Sequence, residues 1–260
     1  MKNKRLFLLD MDGTIYLGDR LFDATIPFLE KVKSIGGRCV FLTNNSSKSR
    51  EAYVDKLNKM GITVGVEDFL TSTDATILYI KKYYSDKKFY CMGTRCFVEQ
   101  LTSSGINATT TLDKDIFGVL ISNDTELSFK KLDDVSRLLT EGVNVYLATN
   151  PDWTCPTEYG YVPDCGSFAE ILYRATGRKP VFIGKPKPEM VLLAMEKYGY
   201  SKQQTLMIGD RIYTDIAAGF NAGVDTALVL SGESTAEDAD KSETKPTHIF
   251  KDIGCIINLL

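Results

Sequence analysis

Short apolar runs alternate along this chain with segments whose apolar residues recur every three or four positions. These are the patterns of buried strands and of one-sided helices. Arg5–Leu9 predicts a strand. Phe28, Leu29, Val32 and Ile35 share one helical face, in a helix that Asp23 would cap and Gly36-Gly37 would stop. Arg38–Thr43 ("RCVFLT") predicts the next strand. Ser46–Met60 predicts the next helix, with Tyr53, Val54, Leu57 and Met60 apolar and Gly61 at its end. This order argues for a parallel sheet with right-handed crossovers. The alternation resumes late: Pro188 opens a helix through Tyr198, Gln204–Ile208 is a strand, Tyr213–Ala222 a short helix and Thr226–Leu230 a strand. His248–Leu260 reads as a strand remnant followed by a helix, and the polar stretch Glu233–Thr247 as a surface loop or a weakly held helix.

Between these ends lies a second alternation. Lys88–Met92, Ile116–Ile121 and Val143–Ala148 predict strands; Thr94–Ser103, Ser128–Thr140 and Gly166–Thr176 predict helices; Val181–Ile183 leads back out. The simplest partition is an α/β parallel-sheet core formed by residues 1–74 and 181–260, interrupted by an inserted α/β domain at 75–180. A chain of 260 residues suits one or two domains.

Composition narrows the function classes. The chain is 43% hydrophobic and 25% charged, ordinary for a soluble globular protein, with a net charge of −3 and no basic block. Nothing here favours nucleic acid or an anionic membrane as a partner. No run approaches the roughly 18 apolar residues of a membrane span, and the N-terminal run Leu6–Leu9 is too short for a secretory signal. The six cysteines are scattered without a CxxC pair, and His248 is the only histidine, which argues against structural zinc. A cytoplasmic protein with reduced thiols is the expectation.

Four stretches carry candidate chemistry. In "LFLLDMDGTIY" an apolar strand ends in Asp10 and Asp12. Ligands of parallel α/β sheets bind beyond the carboxyl ends of strands, and two carboxylates that close repel unless a cation intervenes. A hard divalent ion such as Mg²⁺ would relieve them; an Asp-Gly turn or a helix cap is the plainer reading. In "FLTNNSSKS" the strand runs into Thr43, Asn44, Asn45, Ser46 and Ser47, whose hydroxyls, amides and backbone N–H groups suit an anion as well as they suit helix capping. In "IGKPKPEM" Lys185 sits in a turn between Gly184 and Pro186, aimed to neutralise phosphate or aspartate charge, with Lys187 as its rival. In "LMIGDRIYTD" a strand ends in Gly209-Asp210, and Asp215 follows at an expected helix start, where an acid is also favoured by the helix dipole. In this order the four stretches place carboxylates around a metal, with hydroxyl, amide and ammonium donors for a phosphate.

Those residues resemble the four motifs of the haloacid dehalogenase superfamily: Asp10-Met-Asp12-Gly-Thr14, Thr43, Lys185, and Gly209-Asp210 with Asp215. The longer strings "LTNNSS", "ATNPD", "IGKPKPEM" and "GDRIYTDIAAGFNAG" are similar to its subfamily IIA, the NagD-like and p-nitrophenyl-phosphatase-like proteins. The resemblance implies a Rossmann-like parallel-sheet core and a Mg²⁺-dependent phosphatase acting on a small phosphorylated metabolite. Asp10 would be the nucleophile and form an aspartyl-phosphate, and Asp12 the acid and base. Mg²⁺ would be held by the Asp10 and Asp210 carboxylates and the Asp12 carbonyl, with Asp215 behind them. Thr43 and Asn44 would bind phosphoryl oxygens, and Lys185 would neutralise charge. A phosphotransferase or mutase, or a non-catalytic phosphate binder, would use the same residues.

Only residues 13–42 separate Asp12 from Thr43, about the length of one βαβ unit, so no second domain fits there. Residues 46–184 separate Asn45 from Lys185 and leave room for the family's C2-type cap. Within it, "ATNPDWTCPTEYGYVPDCG" at 148–166 resembles the substrate-specificity loop, with Asp152, Trp153 and Glu158 as candidate leaving-group contacts and Tyr159 and Tyr161 nearby. The resemblance also suggests a homodimer formed through the cap.

Overall fold

The computed structural model describes residues 1–157 and 159–260. Glu158, one of the candidate loop contacts, therefore lies outside the described residues. The chain packs as two units. The first comprises Met1–Thr43, Tyr53–Leu70 and Lys185–Leu260, and the second Asn44–Ala52 and Thr71–Gly184.

The first unit is built on a six-stranded sheet. Leu6–Leu9 lies at its centre, pairing in parallel with Thr205–Gly209 on one side and Arg38–Thr43 on the other. Asp225–Val229 and His248–Phe250 extend the sheet in parallel, and Phe69–Thr71 forms the far edge. All four residues of Leu6–Leu9 are buried, as a strand covered on both faces requires, which is why the run is continuously apolar rather than alternating. Phe7, Leu9, Phe41, Leu206 and Ile208 join Phe28 and Val32 of helix Thr25–Ser34 in one core, where Phe7 meets Phe28 edge to face at 5.8 Å. Each such side chain contributes about 1.5–3 kcal/mol on burial. The register sets Leu9 opposite both Ile208 and Phe41. The three strands therefore end level, and Asp10, Gly209-Asp210 and Leu42-Thr43 emerge at one edge.

The second unit repeats the logic with a five-stranded sheet in the order Val181–Phe182, Val145–Ala148, Gly118–Ile121, Phe89–Met92, Ala108–Thr109, all pairs parallel. Tyr90, Met92, Val119, Ile121 and Tyr146 pack with Val135 and Leu138 of helix Phe129–Glu141 and with Phe168 and Leu172 of helix Cys165–Thr176.

Several local expectations shift. The first helix starts at Thr25 behind Ala24, which makes no side-chain cap, so Asp23 is not its cap. The expected helix from Ser46 begins only at Arg50: Asn45 Oδ1 accepts hydrogen bonds from the Ser47 N–H at 2.9 Å and its hydroxyl at 2.7 Å, a local alternative to helix pairing. The expected helix Tyr213–Ala222 is a π-turn, Ile212–Ile216, followed by a short α-helix, Ala217–Ala222. The polar stretch after Glu233 holds one short helix, Ala236–Lys241, started by a Thr235–Asp238 capping box. Some elements have no counterpart in the sequence pattern: besides the edge strands Phe69–Thr71 and Ala108–Thr109 and the short pair Tyr16–Leu17 and Arg20–Leu21, two stand out. One is helix Ser72–Tyr83, which runs across the expected 74/75 boundary from a Thr71–Asp74 capping box. The other is the antiparallel hairpin Thr154–Thr157 and Gly160–Pro163.

Candidate active site

At the level edge of the first unit, three carboxylates and one ammonium come together. The Asp10 N–H donates to Ile208 O at 2.9 Å, so the strand pairing itself fixes where Asp10 leaves the sheet. Lys185 arrives from its turn and is 2% exposed, with its Nζ 2.5 Å from Asp10 Oδ1 and 2.6 Å from Asp215 Oδ1. A third bond runs from Lys185 Nζ to Leu42 O at 3.3 Å. Lys185, not Lys187, is thus the lysine between the carboxylates. Asp210 follows strand Thr205–Gly209, and one ligand oxygen each from Asp10, Asp210 and Asp215 lies within 4.8 Å of the others.

The charge does not balance. Burial and the Asp215 charge, with a smaller push from Asp210, raise the Asp10 carboxyl well above the usual carboxylate range, although Lys185 pulls the other way. Burial and Asp215 likewise push Asp210 up to about 7. Burial works to discharge Lys185, but Asp10 and Asp215 outweigh it and hold the ammonium above its ordinary range. One cation shared among three acids, with Asp210 and Asp215 buried and Asp10 partly so, leaves the site short of positive charge.

The carboxylate oxygens are not equivalent. Asp215 spends Oδ1 on Lys185 and Oδ2 on the Arg211 N–H at 3.1 Å. Asp210 Oδ2 accepts from the Glu233 N–H at 2.7 Å, whereas Asp210 Oδ1 is buried with no hydrogen-bond partner among the described residues. A buried unpaired carboxylate oxygen beside two further acids fits a hard divalent cation with oxygen ligands. Asp10 and Asp210 have oxygens suited to hold it; Asp215 is occupied in orienting Lys185.

Asp12 stands in the turn after the first strand. Gly13 takes φ 83°, and the Gly13 N–H donates to Tyr16 O at 2.8 Å. A Cβ at Gly13 would lie 2.4 Å from Asp210 Oδ2, so only glycine allows this approach. Tyr16 OH donates to Asp12 Oδ2 at 3.2 Å. Burial, then the Asp12 charge, push the Tyr16 hydroxyl well above its usual range and keep it a donor. Thr43 is buried at the end of its strand. Asn44 belongs to the second unit, where its carbonyl accepts from the Ser72 hydroxyl at 2.5 Å and from Asn150 Nδ2 at 2.8 Å.

In the 148–166 loop, also in the second unit, Thr149, Asn150 and Asp152 are buried while Trp153, Tyr159 and Tyr161 are more than half exposed. The residues that sequence reasoning passed over are Ser231–Ser234, which supply the N–H to Asp210. A signal was present: "LSGES" follows directly on a strand of the same sheet, at its carboxyl end.

Comparison with known proteins agrees along the whole chain. Residues 7–107 match the haloacid dehalogenase-like hydrolase model, and residues 182–255 a second HAD-hydrolase-like model. The acid sugar phosphatase of Staphylococcus haemolyticus is 34% identical, over 100% of this chain and 98% of that protein. The solved 4-nitrophenylphosphatase of Thermotoga maritima superposes with a TM-score of 0.91 at 38% identity, covering 99% and 97% of the two chains. NagD of E. coli K-12 superposes with a TM-score of 0.86 at 28% identity, covering 96% and 97%. A glycerol phosphate phosphatase of Mycobacterium tuberculosis in complex with magnesium, at 27% identity, gives 0.90 over 96% of this chain and 75% of that one. This chain belongs to the haloacid dehalogenase-like hydrolases, in their NagD-like branch.

Proposed function

We propose that this phosphoric monoester hydrolase is a Mg²⁺-dependent phosphatase that cleaves small phosphomonoesters through an aspartyl-phosphate on Asp10. The observation that supports this most is the cluster of Asp10, Asp210 and Asp215 around a single buried Lys185. Asp10 and Asp210, with the Asp12 carbonyl, would hold the ion, which when bound would offset phosphate charge and keep Asp10 ionised.

In the first displacement an Asp10 carboxylate oxygen bonds to phosphorus, the ester P–O bond breaks, and Asp12 gives its proton to the departing alkoxide. In the second, Asp12 takes a proton from water, the water oxygen bonds to phosphorus, and the P–O bond to Asp10 breaks. Inorganic phosphate leaves and both aspartates return to their starting states. Tyr16 orients the Asp12 carboxyl through its hydroxyl. Lys185 holds the attacking carboxylate against a rigid partner, Asp215, and offsets charge spread over the phosphoryl oxygens. Thr43, and Asn44 next to it, are assigned phosphoryl binding by their place in the motif. Recognition of the leaving group is assigned to the 148–166 loop on sequence resemblance alone.

Hydrolysis of p-nitrophenyl phosphate, assayed with Mg²⁺ and with EDTA, tests the proposal. The parent is expected to turn over only with metal, and Asp10→Asn to lose more than about 10⁴-fold in kcat. Activity in Asp10→Asn would sink the nucleophile assignment. Asp12→Asn is expected to lose about 10²–10⁴-fold on an alkyl phosphate, and less on p-nitrophenyl phosphate, whose phenolate leaves without a proton.

A further inference from the structure

The segment Ser231-Gly232-Glu233-Ser234 leaves the carboxyl end of strand Asp225–Val229 and closes on Asp210 and the turns beside it. The Glu233 N–H donates to Asp210 Oδ2 at 2.7 Å, and the Ser234 N–H donates to Asp210 O at 3.1 Å. Ser234 Oγ accepts from the Ile212 N–H at 3.1 Å, tying down the turn that carries Asp215. The Ser231 hydroxyl reaches across to Gly13 O at 2.7 Å, on the turn that carries Asp12. Glu233 is held in place by Arg211 Nε at 2.8 Å and by Tyr213 OH at 2.9 Å.

Glycine at 232 is a steric requirement. A Cβ there would lie 2.0 Å from Asp210 Oδ2 and 2.5 Å from Cγ. The carboxylate is wedged between Gly13 and Gly232, with Oδ2 pinned and Oδ1 buried and without a hydrogen-bond partner among the described residues. A carboxylate free to rotate would offer either oxygen; this one offers a single oxygen in a single orientation.

We propose that Ser231–Ser234 is a positioning clamp that sets divalent-metal affinity by fixing the rotation of the Asp210 carboxylate, so that only Oδ1 faces the ion. The inference rests on the metal-dependent phosphatase reading. It assigns the segment no part in the chemical steps. Orienting groups behind metal ligands are worth about 10–100-fold in affinity, and here the orienting donor is a backbone N–H.

The test is calorimetric titration of Mn²⁺ into substrate-free protein, with the metal-free melting temperature measured alongside. Glu233→Ala keeps the N–H and is expected to bind Mn²⁺ nearly as the parent does. Glu233→Pro removes the N–H and Gly232→Ala forces the carboxylate aside; each is expected to weaken Mn²⁺ about tenfold or more. Ser234→Ala, which loosens only the Ile212 contact, falls between. Affinities are compared among variants whose circular dichroism matches that of the parent. Their turnover should recover at saturating Mg²⁺, because the reacting groups are intact. Parent-like Mn²⁺ affinity in all of them, with only a lower melting temperature, would reduce the segment to loop packing and overturn the clamp alone. A parent that binds no Mn²⁺ would overturn the metal reading and the clamp with it.

Discussion

The two larger sheets of this molecule both end in polar residues, and the way they do so differs. In the second unit, the strands Phe89–Met92, Gly118–Ile121 and Val145–Ala148 run into Thr94, Ser122-Asn123-Asp124 and Thr149-Asn150. There Asp124 and the Ser46–Thr149 pair find their partners within the chain. Asp124, with a fully buried side chain, pairs with Lys131 at 2.8 Å and accepts from the Glu126 N–H at 2.9 Å. Ser46 Oγ shares a bond with Thr149 Oγ1 at 2.8 Å and accepts from the Asn123 N–H at 3.0 Å. In the first unit three carboxylates cluster beside one ammonium, and Asp210 Oδ1 has no hydrogen-bond partner among the described residues. Polar residues beyond a parallel sheet are therefore not by themselves a site. A surplus of charge that only a ligand can offset marks the site.

Removing the lysine from each edge tests this contrast most forcefully. Lys185→Met leaves Asp10 and Asp215 buried without their cation and should cost about 3–5 kcal/mol in metal-free protein. Lys131→Met leaves Asp124 its N–H donor and should cost about 1–3 kcal/mol. Mg²⁺ bound at the site raises the melting temperature of the parent as well; measured against the parent at the same Mg²⁺, millimolar metal should recover part of the deficit of Lys185→Met and none of the deficit of Lys131→Met. Equal recovery, or none in either, would break the distinction between the two edges.

The pH dependence of stability is the next largest effect. Asp210 titrates near 7 in the folded protein against an ordinary 3.8. Between these values the folded chain holds a proton that the unfolded chain has released, so metal-free stability falls as pH rises from about 4 to 7. Other carboxylates act in the opposite direction, so the quantity to measure is the stability of the parent minus that of Asp210→Asn. In EDTA that difference should fall as pH rises through this window. It should rise again when Mg²⁺ takes the place of the proton. A difference independent of pH in EDTA would show that Asp210 carries its charge without cost.

These residues were unequally legible in the sequence. Asp10 and Asp210 could be placed because fully apolar runs end at or just before them, and a strand buried on both faces has sharp limits. Lys185 was legible as the residue a Gly-Lys-Pro turn projects. The partnership of Lys185 with Asp215 was not, because the segment at 212–216 forms a π-turn whose geometry no apolar period announces. The late helix start at Arg50 was hidden by Asn45, whose side chain captures Ser47. The role of Ser231–Ser234 was hidden for a different reason: its hydrogen-bond donors to Asp210 are backbone N–H groups, which leave no residue-type signature beyond the glycine.

The mildest substitution sharpens the contrast from the balanced side. Thr149→Val at the edge of the second sheet removes one hydroxyl at nearly constant volume. Ser46 Oγ keeps the Asn123 N–H, so no charge is stranded and the loss is confined to neutral hydrogen bonding. The expected cost is about 1 kcal/mol, read as a melting-temperature drop of about 2–4 °C, with Mn²⁺ affinity unchanged. A hydroxyl in a satisfied network acts through stability alone, whereas at the unbalanced edge every change in charge should also be read out by metal. A Thr149→Val variant that shifted Mn²⁺ affinity would mean that the network of the second unit also tunes the carboxylates of the first, and the two edges would then have to be treated as one electrostatic system.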